Sequence, residues 1–288
     1  MLQTPTEQPA KSIATTLSQM TLYVPGLGRL LQDWPRGANP NIETARAEVE
    51  KLLEMTIEAP EKLMKLRKCD FGLLAALCYP TCPRAGLLIA TQLLLWIFLW
   101  DDEIDMGEGN TCTATNHENA KDYCSRSLRH VEEVFDPYNA HSSSAGPNAM
   151  KIFDLLSEQL RINMSSDQTK RFTHTIKTFI EQAAVEQIGD SNEDRLPNFD
   201  NYMNLRLDTS AIGPSLAICE LTVEVTLPEW VTQSAEMGCM WKSISVICML
   251  INDIYSLQKE LRNGVAQSAI PILWSASEPN DLNCIVQN

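Results

Sequence analysis

Apolar residues return every third and fourth position through most of this chain, the spacing of one helix face. From Ile42, IETARAEVEKLLEMTIEA predicts a helix that ends where Pro60 interrupts it. A second helix is expected over Glu61–Leu77, stopping at YPTCP, whose two prolines cannot continue it. Further helices are expected over about Arg84–Met106, Glu118–Phe135, Met150–Met164, Gln168–Ile188, Phe199–Val225 and Glu229–Arg262. The penultimate one should break around DTSAIGP, because Gly213 and Pro214 are poor in a helix interior. GEGNTCTATN and DPYNAHSSSAGPN read as loops by composition. No stretch alternates as a strand does, and no internal repeat is found. The pattern predicts an all-α, single-domain helical bundle of eight or more helices. Residues 1–20, in a Pro- and Gly-rich opening, are expected to be mobile, with the domain over 21–288.

Composition narrows the function classes. With 37 acids against 23 bases, the formal charge is -14. Nothing here could neutralise a row of phosphates, so a nucleic-acid partner is excluded. The longest uncharged run, Ala85–Trp100, is too short and too badly flanked to cross a membrane, and reads as a buried core helix. No signal-peptide pattern opens the chain, and a cytoplasmic protein is expected. The nine cysteines lack metal-finger spacing and are expected to be reduced and mostly buried. His117, His130, His141 and His174 show no ligand spacing and are assigned to surface or loop positions.

The apolar run LLLWIFLW drives directly into DDEID, which places four acids within five positions. On a helix, Asp101 and Asp105 share a face one turn apart. Acids are disfavoured at a helix C-terminus, where the dipole is negative. Either this is a solvated helix end, or a hard divalent cation compensates the charge. Near the end, NDIYSLQKE places Asn252, Ser256 and Glu260 at i, i+4 and i+8, a stripe roughly 12 Å long. An amide, a hydroxyl and a carboxylate are all hard oxygen ligands. Lys259 adjoins the stripe, while Asp253 and Gln258 point elsewhere.

DDEID combined with NDIYSLQKE resembles the paired metal motifs of class I terpene synthases. The helix order and the opening NPNIETARAEVEKLL resemble the microbial, particularly fungal, sesquiterpene cyclases, over roughly Leu22–Leu273. Prenyl-chain-elongating enzymes carry a second Asp-rich motif where this chain has Asn, Ser and Glu, so cyclisation is favoured over chain elongation. The resemblance implies a helical bundle around a deep apolar cavity. It implies that Asp101 and Asp105 face Asn252, Ser256 and Glu260 across its mouth. Three Mg2+ ions, with Mn2+ as a substitute, would bridge these ligands to the diphosphate of a linear isoprenoid. Farnesyl diphosphate is the expected substrate, with geranyl diphosphate as the shorter alternative, and the expected product is a sesquiterpene hydrocarbon or alcohol.

The family also places a diphosphate-sensing arginine beside a helix break upstream of the second motif. NYMNLRLDTSAIGP supplies Arg206, with Thr209 and Ser210 as the break. Arg206 and Lys259 would then bind diphosphate oxygens. Ionisation would leave an allylic cation that water quenches and aromatic faces stabilise. Phe98 and Ile97, three and four residues before Asp101, become candidate liners, although core filling is the commoner role of any single aromatic here. Trp96 and Trp100 lie on other sides of the helix and read as packing.

Family members continue for several more helices after the second motif and carry an Arg–Tyr pair there, so the domain is expected to be C-terminally incomplete. The final SASEPNDLNCIVQN reads as the start of a further helix. The alternatives are a non-catalytic family member and a prenyl transferase. A monomer or homodimer is expected.

Overall fold

The computed structural model describes residues 9–24, 26–29, 31–34, 36–106, 117–136, 147–192 and 195–277. Every regular element among them is a helix. The order is α1 (Ala10–Leu17), a 3-10 turn at Leu27–Arg29, α2 (Ile42–Thr56), α3 (Pro60–Arg67), α4 (Phe71–Cys78), α5 (Arg84–Met106), α6 (His117–Phe135) and α7 (Asn148–Asn163). Then follow α8 (Ser166–Asn192), α9 (Phe199–Thr209), α10 (Ile212–Ala217), α11 (Cys219–Thr222), α12 (Glu229–Thr232), α13 (Ala235–Arg262) and α14 (Ala269–Ala276).

Helix α5 is the axis of the main core. It packs against α2, α4, α6, α7, α10 and α11. Leu93, Leu95, Trp96, Leu99 and Trp100 are fully buried. Trp96 lies 4.9 Å from Phe153 of α7, and Trp100 lies 5.0 Å from Phe179 of α8, centroid to centroid. Each such pair contributes about 0.5–1.5 kcal/mol beyond the burial of its area. With 72% of its most apolar stretch buried, α5 is the core helix that its short uncharged run suggested. Gly86 admits this packing: a Cβ there would fall 2.5 Å from the Thr222 carbonyl oxygen.

A second, smaller core joins α1, α9, α13 and α14 through Ile13, Leu17, Tyr202, Leu257, Leu261, Ile270 and Trp274. Part of residues 1–20 belongs to this core. Ile13, Ala14 and Leu17 are one-turn neighbours and give the polar segment an apolar edge that α13 and α14 cover. Helix α10 packs against both α5 and α13, so it stands between the two helices that carry the motifs.

Two expected helices are divided. The Glu61–Leu77 segment breaks at Asp70, which adopts a left-handed backbone (φ 46°, ψ 58°) and caps α4 by accepting from the Leu73 N–H. Arg46 of α2 grips the same carboxylate with Nε at 3.1 Å and Nη2 at 2.6 Å. The Glu229–Arg262 segment breaks where Ser234 caps α13 by accepting from the Met237 N–H. Helix α14 had no counterpart in the periodicity.

The cysteine and histidine expectations also need correction. Of the described cysteines only Cys82 and Cys124 are buried, whereas Cys69, Cys78, Cys239 and Cys248 are exposed. All are free thiols. His130 is held inside the bundle, its Nε2 2.7 Å from Asp154 Oδ1 of α7. His174 is exposed as expected; the His117 side chain and His141 lie outside the described residues.

Candidate active site

Helix α13 carries two adjacent stripes. Ser245, Met249, Asp253, Leu257 and Leu261 are buried at intervals of four. One position earlier run Asn252, which is exposed, and Ser256 and Glu260, which are half-buried. The Ser256 hydroxyl and Glu260 Oε2 are both buried without a hydrogen-bond partner. Such a group ordinarily costs about 1–3 kcal/mol, and native structures contain few of them. Two orphaned hard oxygens one turn apart, next to an exposed amide, form a donor set that fits a hard cation such as Mg2+.

Helix α9 brings Arg206 to this stripe. Its Nη2 donates to Asn252 Oδ1 at 3.4 Å, across 46 residues of sequence. Burial alone would lower the Arg206 pKa. The acids Glu186 and Asp253 and the Tyr202 phenol outweigh that and hold it above its ordinary value. The guanidinium is therefore permanently charged beside a potential anion site. One turn earlier, Tyr202 donates its phenol hydrogen to Asp253 Oδ2 at 2.6 Å. Burial and the nearby Asp253 carboxylate push the Tyr202 phenol far above its usual range, so it remains a donor.

The expected break lies just beyond Arg206. Helix α9 ends at Thr209, Ser210 caps it, and Ala211 takes a left-handed backbone (φ 57°, ψ 12°) before α10 begins. That conformation costs a residue with a side chain about 1–2 kcal/mol. The Thr209 hydroxyl is buried beside it without a partner.

The acid motif is resolved residue by residue. Asp102 is compensated by Lys62 and Lys65 of α3, at 3.8 and 4.0 Å. Glu103 turns inward and accepts from the Tyr123 phenol. These two acids are thus engaged by other helices. Asp101 is exposed in the penultimate turn of α5; the Asp105 side chain lies outside the described residues. Among the described residues no three His, Cys, Asp or Glu side chains converge. Asn252 and Ser256 are neutral oxygen donors, so such a cluster would not include them. Lys259 is exposed beside the stripe.

Phe98 is 46% exposed and rests on Phe71 of α4, with ring centroids 5.2 Å apart. It can present a face to a ligand. Ile97, by contrast, is buried in the main core. Trp96 and Trp100 pack the core as expected, and Trp100 Nε1 donates to Ser127 Oγ at 2.9 Å. Leu77 and Cys78 at the end of α4 are exposed, and Cys78 lies close enough to Cys248 of α13 for the thiols to influence each other. The C-terminal end of α4 thus lies toward the helix that carries the stripe.

Sequence reasoning missed the Tyr202–Asp253 bond and the inward turn of Glu103. Tyr202 lies one turn before Arg206, and that spacing was the available signal.

Comparison with known proteins gives a consistent outcome. Residues 92–277 match the family described as terpene synthase family 2, C-terminal metal binding. The chain is 25% identical to the sesquiterpene cyclase hepA of Aspergillus oryzae over 283 residues, covering 96% of this chain and 76% of that protein. It is 27% identical to the terpene cyclase braA of Annulohypoxylon truncatum, covering 86% of this chain and 66% of that protein. The chain therefore spans about two thirds to three quarters of the length of these relatives. Among solved structures, the linalool/nerolidol synthase of Streptomyces clavuligerus superposes with a TM-score of 0.71 at 18% identity, over 88% of this chain and 78% of that one. An ancestral sequence reconstruction, the SVS_A2 protein, gives 0.73 at 17% identity, over 93% of this chain and 75% of that one.

Proposed function

This chain belongs to the terpene synthase family, and on that premise we propose that it ionises and cyclises a linear isoprenyl diphosphate, farnesyl diphosphate first, in the presence of Mg2+. The observation that carries this reading is the Arg206–Asn252 contact beside the orphaned Ser256 and Glu260 oxygens. Asn252, Ser256 and Glu260, with Asp101 and Asp105 from the other motif, would hold the metal. Mg2+ bound there would neutralise the charge that develops on the diphosphate leaving group.

The chain's own groups do the rest. Arg206 offers a fixed positive fork to the diphosphate oxygens, and Lys259 offers a mobile one. These charges favour departure of the diphosphate over its return. Phe98 would place a ring face beside the allylic cation, where the quadrupole is attractive. The buried body of α5 keeps water from that side. The break at Ser210 and Ala211 lets diphosphate contact at Arg206 shift α10, which touches both motif helices. The expected product is a sesquiterpene hydrocarbon or alcohol, made in the cytoplasm.

One observation favours a second reading, a family member that binds without turnover. Only 17% of the most apolar stretch of α13 is buried, so the described residues do not enclose the cation on that side. Release of inorganic diphosphate from farnesyl diphosphate separates the two. Cyclase activity requires Mg2+-dependent release that Asn252→Ala abolishes. Binding without release supports the second reading.

A further inference from the structure

Each motif contains one acidic residue that is buried and held by other helices. Glu103 is 7% exposed. Its Oε2 accepts from the Tyr123 phenol of α6 at 2.7 Å, and its Oε1 accepts from the backbone N–H of Ala149 at 3.3 Å. Ala149 lies in the first turn of α7. Asp253 is 1% exposed. Its Oδ2 accepts from the Tyr202 phenol of α9 at 2.6 Å and from the backbone N–H of Ala269 at 2.9 Å. Ala269 opens α14.

The two arrangements are built alike. Each has a buried carboxylate, a tyrosine hydroxyl from a neighbouring helix, and a backbone N–H from the first turn of a helix further along the chain. A buried carboxylate is costly unless fully hydrogen-bonded, and an apolar side chain would fill the same space more cheaply. What a carboxylate adds is directional: two donors converging on it fix both the rotation and the axial position of its helix. Successive residues on a helix are turned by 100°. Locking Asp253 inward therefore sets the direction of Asn252, and locking Glu103 does the same for Asp101. The Asp253 bond also ties α13 to the helix that carries Arg206.

We propose that Glu103 and Asp253 are positioning residues that orient the two ligand-bearing faces before metal and diphosphate bind. This rests on the metal–diphosphate reading of the site. Partners that orient ligands in this way typically change metal affinity on the order of 10- to 100-fold when removed.

The test uses the full chain and three matched variants. Tyr123→Phe and Tyr202→Phe each remove one hydroxyl from an anchor. Tyr79→Phe removes a comparable bond, the phenol that donates to the Ser215 carbonyl at 2.8 Å, and touches neither motif. Denaturant unfolding measures stability, and calorimetric titration with Mg2+ and inorganic diphosphate measures binding. The expected result is a similar loss of stability in all three, with binding weakened about 10- to 100-fold only in Tyr123→Phe and Tyr202→Phe. Binding equal to the parent chain in those two, or equally weakened in Tyr79→Phe, overturns the proposal. If Tyr202→Phe does not fold, Asp253→Asn, which keeps one acceptor oxygen, takes its place with the same expectation. Absence of binding by the parent chain overturns the metal–diphosphate reading itself, and this inference with it.

Discussion

The Arg206 guanidinium donates to the Asn252 side-chain oxygen at 3.4 Å, joining helices α9 and α13 across 46 residues. This contact places a permanent cation at one end of a stripe of oxygen donors. Hydrogen bonds from charged groups contribute about 1.5–3 kcal/mol. Arg206→Ala should therefore weaken diphosphate binding roughly 10- to 100-fold, as read by calorimetry. Arg206→Lys should recover only part of it, because an ammonium lacks the planar fork. Full recovery by lysine would reduce the role of Arg206 to simple charge.

Ser256 and Glu260 expose buried, unpartnered oxygens to each other's neighbourhood. Removing an unsatisfied buried hydroxyl relieves about 1–3 kcal/mol of desolvation. Ser256→Ala should thus leave the metal-free chain as stable as the parent or slightly more so. The same variant should lose most of the thermal shift produced by Mg2+ with diphosphate. Asp101→Ala, Asn252→Ala and Glu260→Ala should abolish turnover while circular dichroism shows unchanged helix content. A Ser256→Ala chain that melts several degrees lower without metal would show that the hydroxyl is satisfied within the fold.

Phe98 and Trp96 lie two residues apart and should behave differently. Phe98 is half-exposed against Phe71, whereas Trp96 is fully buried. Phe98→Leu should alter the product distribution or lower turnover, with a stability cost of about 1 kcal/mol. Trp96→Ala should cost about 3–5 kcal/mol in denaturant unfolding. An unaltered product profile in Phe98→Leu would remove Phe98 from the cavity.

The Arg46 guanidinium holds the Asp70 carboxyl below the usual aspartate range. A lowered folded pKa means that Asp70 stabilises the fold fully above its unfolded value near pH 4, and that this contribution fades as pH falls through the lower folded value. Asp70→Asn should therefore be less stable than the parent at pH 6, with the gap closing toward pH 3. A gap that widens on acidification would contradict the assignment.

The long elements were legible because their apolar spacing is dictated by one core: α5, α6, α7, α8 and the body of α13 follow the periodicity closely. The break after Arg206 was legible too, because Gly213 and Pro214 mark it. The break before α4 was not. It depends on a left-handed Asp70 clamped by Arg46, a residue 24 positions away that local spacing cannot reveal. The same limit governed the acid motif. Spacing showed that four adjacent acids need compensation, but Lys62, Lys65 and Tyr123, which compensate two of them, come from other helices. Ile97 illustrates the point on one helix: it lies four residues before Asp101, yet the core on that side covers it.

The most direct measurement is gas chromatography–mass spectrometry of the volatiles formed when the purified chain is incubated with farnesyl diphosphate and Mg2+, beside an EDTA control. The account predicts a cyclic C15 product that EDTA abolishes and that Asn252→Ala and Glu260→Ala fail to make. A folded chain that binds Mg2+ and diphosphate yet yields no C15 product, or a product that persists in EDTA, would contradict it.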